Sequence, residues 1–316
     1  MSVTAITPTI IQGPGCVELD SAVYFFNGGG VTDALNRETN PTPSEFGDLG
    51  KTLKSQRQVI SFTPVGERKN FAKMFPYGKA NLGRRIFNLG GAASKTVKIH
   101  TWEDQMTITY PRGAVTKAPS LSLSPNKTIL GAMEITCMGD TTKLPTATDF
   151  WKTVAGSDTW PVVFDETLVS KEIFHAALGA LSAPFNAMSA LFGFDVEIQY
   201  MLKPLPDDEV GIADYVLESI VPTCKFIPAN VPIADIETLL KLQGTTAVKI
   251  GQLLATKGQD MVIASDSLSV TLHDMGADSF AWVYKTGEHR YKELTLCNRI
   301  SYTTGAVDDF FTIVAT

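Results

Sequence analysis

The chain has 316 residues, of which 44% are apolar and 19% charged, with 27 basic against 33 acidic side chains and a net charge of −6. At about 150 residues per domain this length favours two domains, and the acidic balance argues against a general nucleic-acid binder, which needs a basic excess to neutralise phosphates. The 25 glycines and 17 prolines are ordinary counts and exclude collagen-like and disordered classes, while a charged share below the roughly 25% of an average soluble domain suits a chain that covers much of its outside against partners.

The opening segment, MSVTAITPTIIQG, carries neither a basic n-region nor a long apolar h-region, so no secretory signal is expected. A first strand is expected over Val17–Phe26. Gly28-Gly29-Gly30 then opens a stretch rich in Asn, Thr and Pro (31–44) that reads as a flexible loop. A strand over Gln56–Thr63 leads through Pro64 to a short helix, in which Phe71, Met74 and Phe75 recur at helical spacing and Pro76 and Gly78 supply the stop. Strands follow over Thr96–His100, Gln105–Tyr110 and Ile129–Thr136. A boundary falls near Ala155-Gly156-Ser157-Asp158, giving domains 1–155 and 156–316. Ile173–Phe194 runs 22 residues without Asp, Glu, Lys or Arg, and about 20 would be needed to span a bilayer. Its His, Asn, Ser, Pro and Gly content reads instead as a buried or partner-facing segment, with no membrane insertion.

Phe194–Lys203 alternates cleanly, with Phe194, Val196, Ile198, Tyr200 and Leu202 on one face and Asp195, Glu197, Gln199, Met201 and Lys203 on the other. That is a half-buried antiparallel strand, with Val17–Phe26 expected as its first-half counterpart. Strands are expected further on at Cys224–Ile227, Met261–Ala264, Ser267–His273, Phe280–Tyr284, Tyr291–Cys297 and Asp309–Ala315. After Pro232, the residues Ile233, Ile236, Leu239 and Leu240 predict a second helix ended by Gly244.

The halves repeat. Shifted by 164 positions, Glu45 meets Glu209, Gly47 meets Gly211, Leu53 meets Leu217, Ser55 meets Ser219, Phe62 meets Phe226 and Pro64 meets Pro228, six identities in twenty positions. Ile99 and Thr107 meet Ile263 and Thr271 at the same shift. Near the end of each half the shift is read as 159, with Glu134 and Thr136 on Glu293 and Thr295. Two copies are too few for a solenoid, so tandem folds sharing an interface are expected. Leu53, Phe62, Pro64, Leu217, Phe226 and Pro228 are the expected repeat core. The fold class is mainly β: two tandem β-sandwiches or barrels, each with one flanking α-helix.

Chemistry-bearing motifs are missing. There is no Walker loop, no G-x-G-x-x-G between strand and helix, and no G-x-S-x-G elbow. Cys16, Cys137, Cys224 and Cys297 make no C-x-x-C pair and read as buried small hydrophobes of a reducing compartment. His100, His175, His273 and His289 stand far apart and offer no metal two ligands. Asp207-Asp208-Glu209 reads as a solvated loop, Asn126-Lys127-Thr128 as a sequon without meaning unless secreted, and Gly83-Arg84-Arg85 as a basic spot too small for nucleic acid. No enzyme, cofactor or metal is expected.

The second half carries Ala183-Pro184-Phe185-Asn186, Gly193-Phe194-Asp195-Val196-Glu197-Ile198, Lys203-Pro204, Lys225-Phe226-Ile227-Pro228-Ala229-Asn230, Leu239-Leu240-Lys241-Leu242-Gln243-Gly244 and Ser269-Val270-Thr271-Leu272-His273. This set resembles the major tail (tail tube) proteins of long-tailed bacteriophages over nearly all of 156–316 and, through the repeat, more weakly over 13–140. The first half departs, since Phe62-Thr63-Pro64-Val65-Gly66 keeps only part of the motif. The resemblance implies a non-catalytic virion protein, assembled in the host cytoplasm, whose β subunits close into rings. The rings stack into the conduit for viral DNA, and the neighbours are the tape measure protein and other tail proteins. With two copies per chain, three chains would close a pseudo-sixfold ring; six chains per ring is the alternative. A lumen that lets DNA slide without binding implies acidic lining, with Asp195 and Glu197, and Glu18 and Asp20 in the first copy, as candidates. Gly28–Leu53 and Ile173–Phe192 would bridge rings through Gly29, Val31, Phe174, Phe185 and Met188. A distal tail or hub component of the same fold and a carbohydrate-binding β-sandwich pair are the alternative functions.

Overall fold

The computed structural model describes residues 15–20, 22–45, 47–65, 68–87, 95–101, 105–124, 127–140, 147, 150–156, 173–179, 183–207, 211–229, 231, 259–282, 291–298 and 309–315. In the first half these form β1 (Gly15–Leu19), β2 (Ala22–Ser44), β3 (Gly47–Pro64), the one-turn helix α1 (Arg68–Phe71), β4 (Lys95–Thr101), β5 (Met106–Lys117), β6 (Leu121–Ser124), β7 (Lys127–Leu130), β8 (Met133–Met138) and β9 (Thr153–Gly156). The second half supplies β10 (His175–Leu178), β11 (Ala190–Asp207), β12 (Gly211–Pro228), β13 (Gln259–Ala264), β14 (Leu268–Trp282), β15 (Tyr291–Asn298) and β16 (Phe311–Ala315). The chain is mainly β and every strand pairing is antiparallel. The helix expected after Pro232 lies outside the described residues.

Each half rolls its sheet into a closed barrel. In the first, the order β4-β1-β2-β3-β8-β5 returns to β4, with β9 added on the far side of β5. In the second, the order is β10-β13-β14-β15-β12-β11, with β16 on β14. A backbone bridge between Ala176 and Met188 brings β10 against the lead-in to β11 and closes the circuit. Closure pairs the backbone edges that an open sheet would leave exposed.

The inward positions correspond. Val17, Ile60, Phe62, Val97, Ile99, Tyr110 and Ile135 fill the first barrel, and Ala176, Cys224, Phe226, Met261, Ile263, Leu272 and Leu296 stand at the same places in the second; all are buried. Burying each large apolar side chain is worth about 1.5–3 kcal/mol, and this repeated inward set is what makes one fold out of two diverged sequences.

Strand registers relate the halves more sharply than identities do. The shift is 164 for β3 and β12, 163 for β2 and β11, 164 for β4 and β13, 162 for β5 and β14, 161 for β8 and β15, and 159 for β1 and β10. The bulges recur at the same rungs: Phe26/Val31 answers Ala190/Phe194, Glu38/Thr39 answers Met201/Leu202, and Pro41/Pro43 answers Leu205/Pro206. A one-residue difference in the tips, Ser44 to Gly47 against Asp207 to Gly211, accounts for the step from 163 to 164.

Several expectations change here, among them the separate strands at Ser267–His273 and Phe280–Tyr284, which are one continuous β14 over its described residues. The counterpart of Phe194–Lys203 is Val31–Asn40, not Val17–Phe26, because the chain turns at Asp20 (φ 51°) and splits that run into β1 and β2. Gly28–Leu53 is a long β-hairpin rather than a loop. By register Thr107 stands where Ser269 does, and Thr136 where Cys297 does. The sequence alignment was two residues off in both cases, a slip that leaves the in/out alternation intact and so escapes a pattern test. Lastly, Ile129–Thr136 is two strands, β7 and β8, separated at Gly131-Ala132.

Among the described residues no helix is long and apolar enough to cross a membrane. The described part of Ile173–Phe194 is β10, a turn and the start of β11, with Phe174, Ala176, Leu178, Phe185 and Met188 buried.

Candidate assembly interface

The two halves are joined by backbone pairing as well as by the chain. The β6–β7 hairpin of the first half adds to the second sheet: Leu123 pairs with Phe194, Ser122 with Asp195 and Leu121 with Val196. The site on β11 is a bulge at Gly193 (φ 99°), where a Cβ would stand 2.7 Å from Ser124 Cα. Glycine is required there twice, by its conformation and by the close backbone.

A second first-half segment, Gly83–Phe87, lies along β12. The Gly83 N–H donates to the Leu217 carbonyl (2.8 Å), the Leu217 N–H to the Arg84 carbonyl (3.1 Å) and the Ile86 N–H to the Tyr215 carbonyl (2.9 Å). Asp214 is buried under it, and its Oδ1 accepts the N–H of Phe87 (3.1 Å) and of Tyr215 (2.7 Å). A buried carboxylate is tolerable when hydrogen-bonded in this way. The Arg57 guanidinium donates to the Tyr215 hydroxyl (2.7 Å), and Arg112 donates to the Ala213 carbonyl (3.3 Å) while lying 5.8 Å from the centre of the Phe87 ring. Burial pulls the Arg112 pKa down, and the nearby Asp214 and Asp140 carboxylates oppose that pull. Tyr77 stacks edge-on against Tyr200 at 5.0 Å, Phe75 against Phe311 at 6.1 Å, and the Lys79 N–H donates to Asp309 (2.7 Å).

Asp195 and Glu197 are exposed on the outer face of β11, in a shallow cleft of about 300 Å³ with Ser122, Thr223, Lys225 and Glu293. Gln199 donates to Glu197 at 3.0 Å. Glu18 and Asp20 do not form the matching pair. Register puts Thr32 and Ala34 at the places of Asp195 and Glu197. Glu18 is instead half-buried on β1 between Lys98 and His100, each 3.2 Å away, and Asp20 meets Lys95 at 2.6 Å.

Of the expected inter-ring residues, Phe174, Phe185 and Met188 are packed into the chain's own core and have no surface to offer another ring. Val31 is half-buried, and Gly29 lies within β2. Of the expected repeat core, Phe62, Pro64, Leu217, Phe226 and Pro228 are buried, but Leu53 is 57% exposed where its counterpart Leu217 is fully buried.

None of the four cysteines forms a disulfide; burial pushes the Cys137 and Cys224 thiols up. Among the described residues no group of three or more metal-ligating side chains comes together. A further polar cluster centres on Asp33, which accepts from Gln58 (2.6 Å) and from the Tyr110 hydroxyl, with Lys152 at 3.9 Å. It ties β2 to β3 and β5 inside the first barrel.

Sequence reasoning passed over the residues that carry the interface. Gly83-Arg84-Arg85 reads in sequence as a basic spot, whereas its contribution is main-chain pairing. Leu121 and Leu123 alternate with Ser122 and Ser124, a four-residue pattern too short to single out and with nothing local to show that it pairs with the other half. A comparison with protein-family profiles and with curated protein sequences finds no match to this chain.

Proposed function

We propose that this chain is a structural tile of a β-walled tube, a tail tube protein of a long-tailed bacteriophage, whose rings stack into the conduit for DNA. One observation carries the reading. Two copies of one barrel are joined within the chain by a contact between unlike faces, the β6–β7 hairpin and Gly83–Phe87 of one against the β11–β12 hairpin of the other. A contact between unlike faces does not use itself up, so it continues from chain to chain and gives a ring if the rotation closes. The family resemblance supplies the expected closure at six barrels, hence three chains, with covalent linkage raising the effective concentration of every second interface. The exposed Asp195 and Glu197 are proposed to face the channel and repel phosphate; the first copy presents uncharged Thr32 and Ala34 there, so the acidic positions would be threefold rather than sixfold. The tape measure protein and other tail components are the proposed partners, and the virion tail the proposed location.

Negative-stain electron microscopy of the purified full chain at high concentration tests this. Open tubes of stacked rings support the tube; single discs that never stack point to a distal hub component. A particle that stays monomeric at every concentration overturns the assembly.

A further inference from the structure

We infer that the exposed β2–β3 hairpin is an acceptor for a second copy of this chain, engaged by that copy's second domain as the first domain engages β11–β12 here. The inference rests on the tile reading but is narrower: it names the faces that meet.

The two hairpins share register and bulges yet differ in cover. Leu217 is fully buried beneath Gly83–Arg84, and Ile198 is 3% exposed; their counterparts Leu53 and Leu35 are 57% and 43% exposed. Residues 35–41 and 51–54 are exposed without a break. At the β11 bulge, Gly193 is pressed by the backbone of Leu123 and Ser124, whereas Gly30, its counterpart with φ 74°, has no atom within 4 Å of the place its Cβ would take among the described residues. Among them, too, β3 alone pairs with β2 at Val31–Asp33, the rungs at which β11 receives β6 on its other edge. A two-stranded ribbon alone is marginal in water, and a bare strand edge is a template for another chain. First-half features that are covered in the second half therefore mark a missing neighbour.

The occupant follows from the repeat. By the 164-residue sequence shift Gly83–Phe87 match 247–251, which lie outside the described residues and keep Ile250 for Ile86 and a basic Lys249 for Arg85. Charge supports a match in this direction. Where Arg112 approaches β12 beside buried Asp214 and Tyr215, the register sets Asp274 on the donor and Lys51 on the acceptor. The sign is exchanged between the two faces, which favours the chain-to-chain contact and distinguishes it from the internal one.

The test co-expresses two full-length variants that each add one cysteine to the four native ones, Thr52→Cys and Lys249→Cys, whose positions match the bridged pair Val216 and Arg85 by the 164-residue sequence shift. Mild oxidation is expected to give a disulfide-linked dimer from the mixture and none from either variant alone. A dimer from Thr52→Cys alone means that two acceptor faces meet each other, and overturns the inference. In parallel, Leu53→Asp and Leu35→Asp, at exposed positions, are expected to keep the melting midpoint of the unassembled chain while raising the concentration needed for assembly at least about tenfold. Tubes without the mixed dimer and without sensitivity to Leu53→Asp overturn this interface and leave the tube standing; the mixed dimer without tubes keeps the interface and overturns the tube.

Discussion

The β2–β3 and β11–β12 hairpins are the same object in two settings. They pair at equivalent rungs and bulge at equivalent rungs, but one is sheltered by its own chain and the other stands in solvent. Their difference separates what a hairpin needs in order to form from what it needs in order to be covered. Register and bulges come from the strand sequences and persist without a neighbour. Burial at Leu217 and the tight approach at Gly193 come from the neighbour.

Substitutions at matched positions sharpen that contrast. The largest effect is expected for Leu217→Ala, which removes a fully buried side chain and should cost about 2–5 kcal/mol in urea unfolding. Leu53→Ala, at the matched but exposed place, should stay within about 0.5 kcal/mol in the unassembled chain. Equal costs would mean that the two hairpins are covered alike.

Next come the bulge glycines. Both need positive φ, so Gly30→Ala should lose about 1–2 kcal/mol to backbone strain alone. Gly193→Ala also drives a methyl into the backbone of Leu123 and Ser124 and should lose about 1–3 kcal/mol more. The excess is read as the difference between the two midpoints in one denaturant series.

Alkaline titration gives a broader effect. Burial raises the Tyr24, Tyr77, Tyr110 and Tyr200 phenols above 10.0 and the Cys137 and Cys224 thiols above 9.0. The unfolded chain then releases protons that the folded chain retains. Stability from these groups is complete below about pH 9 and falls as pH climbs through 9 and 10 towards the raised values. The melting temperature should drop steadily above about pH 9, and Tyr110→Phe should make that drop shallower, even though it forfeits the hydrogen bond to Asp33. A melting temperature flat to pH 11 would contradict the burial of these phenols.

The smallest effect is expected at Lys51. It is exposed, so Lys51→Asp should leave the isolated chain unchanged and weaken assembly by about 0–1 kcal/mol, as rim charges do. Sedimentation at low and high salt separates this from a folding defect, because only the assembly term is screened.

The β class and the duplication were legible because both depend on patterns that survive divergence: alternation along Phe194–Lys203, and Phe62-Thr63-Pro64 against Phe226-Ile227-Pro228. The first hairpin was not legible. Residues 31–44 are mostly polar, with no apolar side chain but proline after Leu35 and with Pro41 and Pro43 near the tip, and composition alone makes such a stretch a loop; its strand state comes from the register of the ribbon. The acidic pair was mislocated for a related reason. With Val17–Phe26 as the expected partner of Phe194–Lys203, Glu18 and Asp20 inherit the places that belong to Thr32 and Ala34. The joint between the halves was hidden because backbone pairing across Leu121–Leu123 and Gly83–Phe87 demands no particular side chains.

A reconstruction of the assembled particle without imposed symmetry bears on all of this at once. Six barrels around one channel from three chains are expected, with Leu53 covered by the second domain of the next chain as Leu217 is covered within its own. Six complete chains in a ring, or a ring in which Leu53 still faces solvent, would contradict it.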